Sequence, residues 1–108
     1  MSVRWPDVNR LHMLIEFERL GSLAAVAESL SYSKSAVSQQ MATLQKEVGA
    51  ELVLKRGKAL ELTDQGHAMV RVAKKVLREL EDATTAIARE QGTLSGVLRI
   101  ACLQSVTQ

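Results

Sequence analysis

The sequence predicts a mainly α chain: three helices, a small two-stranded hairpin, and a long fourth helix. Three observations carry that prediction. Apolar residues recur at helical spacing from Val8 to Val48. Glycines and hydroxyl residues (Gly21-Ser22, Ser31 to Ser33, Gly49) stand where the spacing breaks. Beyond Thr63, a 4-3-4-3-4 spacing links Met69, Ala73, Val76, Leu80, Ala83 and Ile87 without interruption.

Each element has its own local signals. Asp7, after Pro6, caps a first helix to about Leu20, with Val8, Leu11, Leu14, Ile15 and Phe17 as its apolar positions. Gly21 ends it, and Ser22 caps a short helix, LAAVAESL, that places Leu23, Ala27 and Leu30 on one side. Ser31-Tyr32-Ser33 is a brief break whose hydroxyls suit the start of the next helix. That third helix, residues 34–48, turns Val37, Met41, Leu44 and Val48 inward, and Gly49 stops it. Leu52-Val53-Leu54 and Leu60-Glu61-Leu62 are extended segments around KRGKA, with Gly57 as the turn residue, so residues 52–62 form a hairpin with a basic tip. Thr63 and Asp64 then cap the long helix, which reaches about Gln91. After Gly92, VLRIACL is a compact apolar run suited to a buried strand. A lone strand has no sheet to join, so residues 92–108 are expected to be a hinge and the first strand of a truncated α/β domain.

Composition narrows the function classes. With 46% hydrophobic and 24% charged residues, the chain has the balance of a soluble globular domain, and no apolar run is long enough to span a bilayer. The start, MSVRWPDVNR, has no apolar signal core, and Cys102 is the single cysteine. These features fit a cytoplasmic protein with no membrane partner. One cysteine with the distant His12 and His67 makes no structural zinc site. No nucleophile with a base, metal set or carboxylate pair is evident, so no catalytic residue is assigned and an enzyme is not expected.

Charge is distributed unevenly. No acid lies between Glu28 and Glu47, and residues 29–60 carry five bases against two acids, +3 in a chain whose net charge is +2. A polyanion-facing surface explains that bias, and an ordinary solvated surface is the alternative. The third helix bears on the choice, with a bland helix whose serines reflect capping as its own alternative until its context is considered. Opposite its apolar stripe stand Ser35, Ser38, Gln39 and Ala42, a small, hydroxylated and amide-bearing face where Glu and Lys are usual. Serine hydroxyls pair with phosphates or base edges, an amide pairs with adenine N6 and N7, and Lys34 reaches a phosphate. Two short helices joined by a tight turn form a helix-turn-helix, and the following basic hairpin supplies a wing. Fold class is therefore mainly α, a winged helix-turn-helix of three helices and a two-stranded wing followed by a long linker helix.

The stretch from Gly21-Ser22 through Ala24, Ala27, Ser33 to Leu44, Glu47-Val48-Gly49, Leu52 to Arg56, and Leu62-Thr63 with Gly66 resembles the DNA-binding domain of LysR-type bacterial transcription regulators. The resemblance spans residues 6–63, with the helix-turn-helix motif at about 23–42 and the linker helix at 64–91. It implies a sequence-specific regulator that binds double-stranded DNA. Lys34, Ser35, Ser38 and Gln39 would face bases or phosphates, Ser33 and Gln40 would support or touch the backbone, and Arg56 and Lys58 would serve the wing. Gly96 to Ile100 resembles the first strand of the family's effector domain, so no cofactor is expected in this chain and a small-molecule effector would bind the absent part. Two departures stand out: Lys34-Ser35 replaces the common Gln-Pro, and Gln39 replaces the common Arg. Arg favours guanine and Gln favours adenine, so base preference does not carry over from relatives.

The long helix raises the question of a partner. Met69, Ala73, Val76, Leu80, Ala83 and Ile87 make a seam that a small head cannot bury alone, and the resemblance implies an antiparallel homodimer, with a higher oligomer possible at full length. Packing on the head is the alternative. Arg71, Lys74, Lys75 and Arg78 precede Glu79, Glu81 and Asp82, so antiparallel pairing sets opposite charges together. Two rivals to a regulator are a structural module and a nonspecific DNA-bridging protein; protection of a discrete site in footprinting separates them.

Overall fold

The chain's computed structural model describes residues 5–91. The expected hinge and strand over 92–108, with Cys102, lie outside the described residues. In order, the elements are α1 (Val8–Leu20), α2 (Leu23–Leu30), α3 (Lys34–Val48), β1 (Val53–Arg56), β2 (Ala59–Leu62) and α4 (Asp64–Glu90).

Helix ends fall where side chains satisfy exposed backbone groups. Asp7 Oδ1 accepts from Asn9 N–H at 2.8 Å, Ser22 Oγ from Ala25 N–H at 3.1 Å, and Ser33 Oγ from Ala36 N–H at 3.1 Å. Gly21 and Gly49 close α1 and α3 in the left-handed region, at φ 86° and 82°, which costs glycine little. Ser31 does the same at the end of α2, at φ 62°, and is the one non-glycine residue with positive φ among those described. A side chain there costs about 1–2 kcal/mol. The turn between α2 and α3 is thus tighter than its residues prefer.

The core joins all three head helices: Leu11, Met13, Leu14 and Phe17 from α1, Val26 and Ala27 from α2, and Val37, Met41 and Leu44 from α3. Leu52, Val70 and Ala73 complete it. Two positions on α1 differ from expectation: Met13 is buried, whereas Val8 is exposed. Each residue turns the helix by about 100°, so Met13 and Phe17 flank Leu14 on one side and Leu11 on the other. Val8 falls beyond Leu11 at the margin of that arc. On α2, Val26 is buried with Ala27, while Leu23 and Leu30 pack half-buried at its edge.

β1 and β2 pair antiparallel, with Val53 opposite Leu62 and Arg56 opposite Ala59. That register leaves Gly57 and Lys58 as a two-residue turn, and Gly57 at φ 64° fits the tight hairpin type with glycine first. Val53, Leu60 and Leu62 pack against the core.

Thr63 fastens α4 to the head. Its N–H donates to the Leu52 carbonyl at 2.9 Å, its hydroxyl donates to the Glu51 carbonyl at 2.7 Å, and its Oγ1 accepts from Gly66 N–H at 2.9 Å. Gly66 is required by space: a Cβ there would lie far inside contact distance of the Leu52 carbonyl oxygen. The chain forms one compact unit through Lys75 and a second from Val76.

The six positions of the expected seam on α4 differ in burial. Ala73 is fully buried in the core and Met69 packs half-buried against it, so these two are occupied within the chain. Val76, Leu80 and Ile87 are 37%, 48% and 56% exposed, Ala83 is exposed, and Val72, outside the expected seam, is 51% exposed. The reason is only partly rotational. At about 100° per residue, Val72 falls well round the helix from Gly66, Val70 and Ala73, whereas Leu80 lies within about 20° of Ala73 but two turns further along, past the end of the first unit at Lys75.

Candidate nucleic-acid interface

α3 is held with one face inward and the other free. Val37, Met41 and Leu44 lock it into the core, while Ser35, Ser38, Gln39 and Ala42 are exposed along the opposite side. Lys34 is exposed at its start and forms no ion pair with a described residue. Ser33 divides its hydroxyl between two tasks, capping α3 and lying 3.4 Å from Ser35 Oγ. Four polar or neutral side chains thus face solvent, with one cation, Lys34, and no carboxylate on the first three turns.

Gln40 behaves differently from its neighbours. It is half-buried, and its Oε1 accepts from Arg10 Nε at 2.6 Å. The same guanidinium meets Glu47 Oε2 at 2.7 Å, and Glu47 Oε1 accepts from Asp7 N–H at 3.2 Å. Arg10 therefore ties the start of α1 to both halves of α3 and holds the Gln40 amide in place. Its placement follows from the α1 arc, since Arg10 lies one turn before Leu14 and faces α3. No local sequence signal marks it, because its partners are thirty or more residues away.

Gln45 joins α3 to the wing. Its Oε1 accepts from Leu52 N–H at 2.7 Å and Val53 N–H at 3.1 Å, satisfying backbone donors at the entry to β1. At the hairpin tip, Lys58 is exposed, and Arg56 Nε sits 3.2 Å from Glu61 Oε1 across the two strands. Both partners of that pair are largely exposed, so water screens it and a phosphate can displace Glu61. A second acid, Glu18 on α1, meets His67 Nδ1 at 3.4 Å and Lys74 Nζ at 3.3 Å, so α4 is bridged to the head by charge as well as by its core residues.

A tight helix–turn–helix with a small polar outer face on its second helix, followed at once by a basic two-stranded hairpin, defines a winged helix-turn-helix protein. Residues 8–67 match the family described as bacterial regulatory helix-turn-helix protein, lysR family, and this chain belongs to that family. Among its relatives, the HTH-type transcriptional regulator PtxR of Pseudomonas aeruginosa is 34% identical over 91% of this chain and 31% of its own length. The nitrogen assimilation regulatory protein nac of Escherichia coli is 33% identical over 87% of this chain and 31% of its own length. The chain thus spans about a third of the length of these curated relatives. A crystal structure of the CbnR DNA-binding domain in complex with DNA, 29% identical, covers 77% of this chain and 99% of its own with a TM-score of 0.67. The BenM DNA-binding domain in complex with catB site 1 DNA shares the fold, with a TM-score of 0.75 at 20% identity over 81% of this chain and 98% of its own.

Proposed function

We propose that this chain is the DNA-binding part of a sequence-specific transcription regulator that reads an inverted-repeat operator as a homodimer. The exposed face of α3 carries the reading: a buried apolar stripe fixes the helix, and an outer stripe of Ser35, Ser38, Gln39 and Ala42 suits the major groove. Small side chains let the helix backbone lie deep in a groove about 12 Å wide. Lys34 meets a phosphate, Ser38 donates to a base edge, and Gln39 pairs with adenine through its amide. Arg10 orients Gln40 toward the backbone of the duplex. Arg56 and Lys58 approach the neighbouring minor groove, where Arg56 exchanges Glu61 for the duplex. The CbnR DNA-binding domain in complex with DNA supports a duplex as the partner.

The homodimer rests on the uncovered flank of α4. Val72, Val76, Leu80, Ala83 and Ile87 form an apolar stripe, and charge along the helix reverses from basic at Arg71 to Arg78 to acidic at Glu79 to Asp82. An antiparallel second copy covers the stripe and opposes the charges. Two recognition helices then read half-sites about one helical turn apart or more. Effector control belongs to a domain beyond the described residues, which binds a small molecule.

Selection of bound duplexes from random DNA tests the proposal. An inverted repeat should emerge, and affinity for it should fall steeply with salt, by roughly a thousandfold between 50 and 200 mM if six phosphates are neutralised. Equal affinity for the selected and a scrambled duplex at fixed salt overturns the specific reading and leaves a nonspecific DNA-bridging protein.

A further inference from the structure

We infer that Tyr32 is a DNA contact in its own right, donating its phenol hydroxyl to a phosphate at the edge of the groove that α3 enters; this rests on the DNA-binding reading above. Tyr32 fills two local positions at once. Its N–H reaches the Ala27 carbonyl at 2.8 Å while the Ser31 N–H reaches that of Glu28 at 3.4 Å, the paired bonds of a Schellman ending on α2. It also directly precedes Ser33, the cap of α3. The first position favours an apolar side chain lying back on α2, and the second favours one that meets the fourth residue of α3, which is Val37. A plain aliphatic residue satisfies both.

Tyrosine leaves something over. Tyr32 is 49% exposed. The side-chain hydrogen bonds of this turn run through Ser33 and Ser35 and leave the Tyr32 hydroxyl without a partner among the described residues. The local positions account for the ring and not for the hydroxyl, and an amphipathic aromatic belongs where one end is dry and the other meets a polar surface. In a helix-turn-helix, the first residues of the recognition helix reach base edges, so the residue just before them borders the phosphates of the groove wall. The neighbourhood suits an anion: Lys34 is two residues on, and no acid occurs between Glu28 and Glu47. Backbone hydrogen bonds already hold the turn, so the contact forms with little added ordering.

Because the donor is neutral, its phosphate contact releases no counterion and reads no base. The variant Tyr32→Phe keeps the ring and should melt as the wild type by circular dichroism. On a duplex selected from random DNA by the wild type, it should bind roughly ten- to a hundredfold more weakly, the effect of losing one hydrogen bond to a charged acceptor. The loss should be equal on a scrambled duplex, with the salt slope unchanged, whereas Lys34→Ala should lower that slope by about one. Ethylation of one phosphate per half-site should weaken the wild type and leave Tyr32→Phe unaffected. Wild-type affinity in Tyr32→Phe, or a loss confined to the selected duplex, overturns the phosphate contact. Failure of the wild type to bind any duplex overturns the DNA-binding reading itself.

Discussion

α3 and α4 are both amphipathic, yet they leave opposite kinds of surface in solvent. α3 spends its whole apolar stripe on the core and exposes serine, glutamine and alanine. α4 spends only the flank around Gly66, Val70 and Ala73, and leaves Val72, Val76, Leu80 and Ile87 uncovered. Its outer face carries mixed charge, where that of α3 carries no acid before Glu47. A helix whose apolar face is fully used has only polar chemistry to offer a partner, and that chemistry matches a polyanion. One with apolar surface left over offers burial, worth about 25 cal/mol per Å² covered. The two helices of one small chain thus offer different chemistry to a partner.

The comparison breaks most severely at the anchored end of α4. Gly66→Ala drives a methyl into the Leu52 carbonyl, which also accepts from Thr63 N–H, so the helix start and the wing entry cannot both stay in place. A loss of about 3 kcal/mol or more is expected, seen as a fall of roughly 12 °C or more in Tm. A wild-type melt would show that α4 is not seated on Leu52 in this way. Next in size is the polar face of α3. Ser38→Glu sets a carboxylate against the duplex and should reduce affinity by roughly a hundredfold or more in a gel shift, with the melt unchanged. Retained binding would move the reading surface off α3.

A smaller effect belongs to the open flank of α4. Leu80→Glu should weaken the proposed dimer by about tenfold to a hundredfold in sedimentation velocity, since Leu80 is 48% exposed and the two copies together lose about 1.5–3 kcal/mol of burial. The circular dichroism of the head should be preserved, because Leu80 is not part of its core. A dimer as tight as wild type would leave the stripe for another occupant. The smallest change is favourable. Ser31→Gly relieves the left-handed residue before α3 and should raise stability by up to about 1 kcal/mol, or ~4 °C in Tm, with DNA affinity unchanged. A fall in affinity would mean that the Ser31 hydroxyl itself takes part in binding.

Much of this was legible in local pattern. The caps at Asp7, Ser22, Ser33 and Thr63, the inward Val37, Met41 and Leu44, and the turn at Gly57 all lie where residue type and spacing put them, because each depends on neighbours within a few positions. The family pattern included Gly66 without its reason, which is the Leu52 carbonyl packed against it from across the hairpin. Arg10, Gln45 and Glu61 carry no local signal for the same cause: each acts on a partner brought near by folding, and a charged or amide side chain alone does not announce which one.

Sequence alone determined the helices, their order, the acid-free face of α3 and the family, since these follow from short-range backbone chemistry and the period of apolar residues. Tertiary structure decided how the apolar face of α4 is shared. Spacing places Ala73 and Val76 on one continuous stripe, and only the three-dimensional packing buries the first and exposes the second. Periodicity reports which side of a helix is apolar, whereas the amount of that side already covered depends on the shape of everything packed against it.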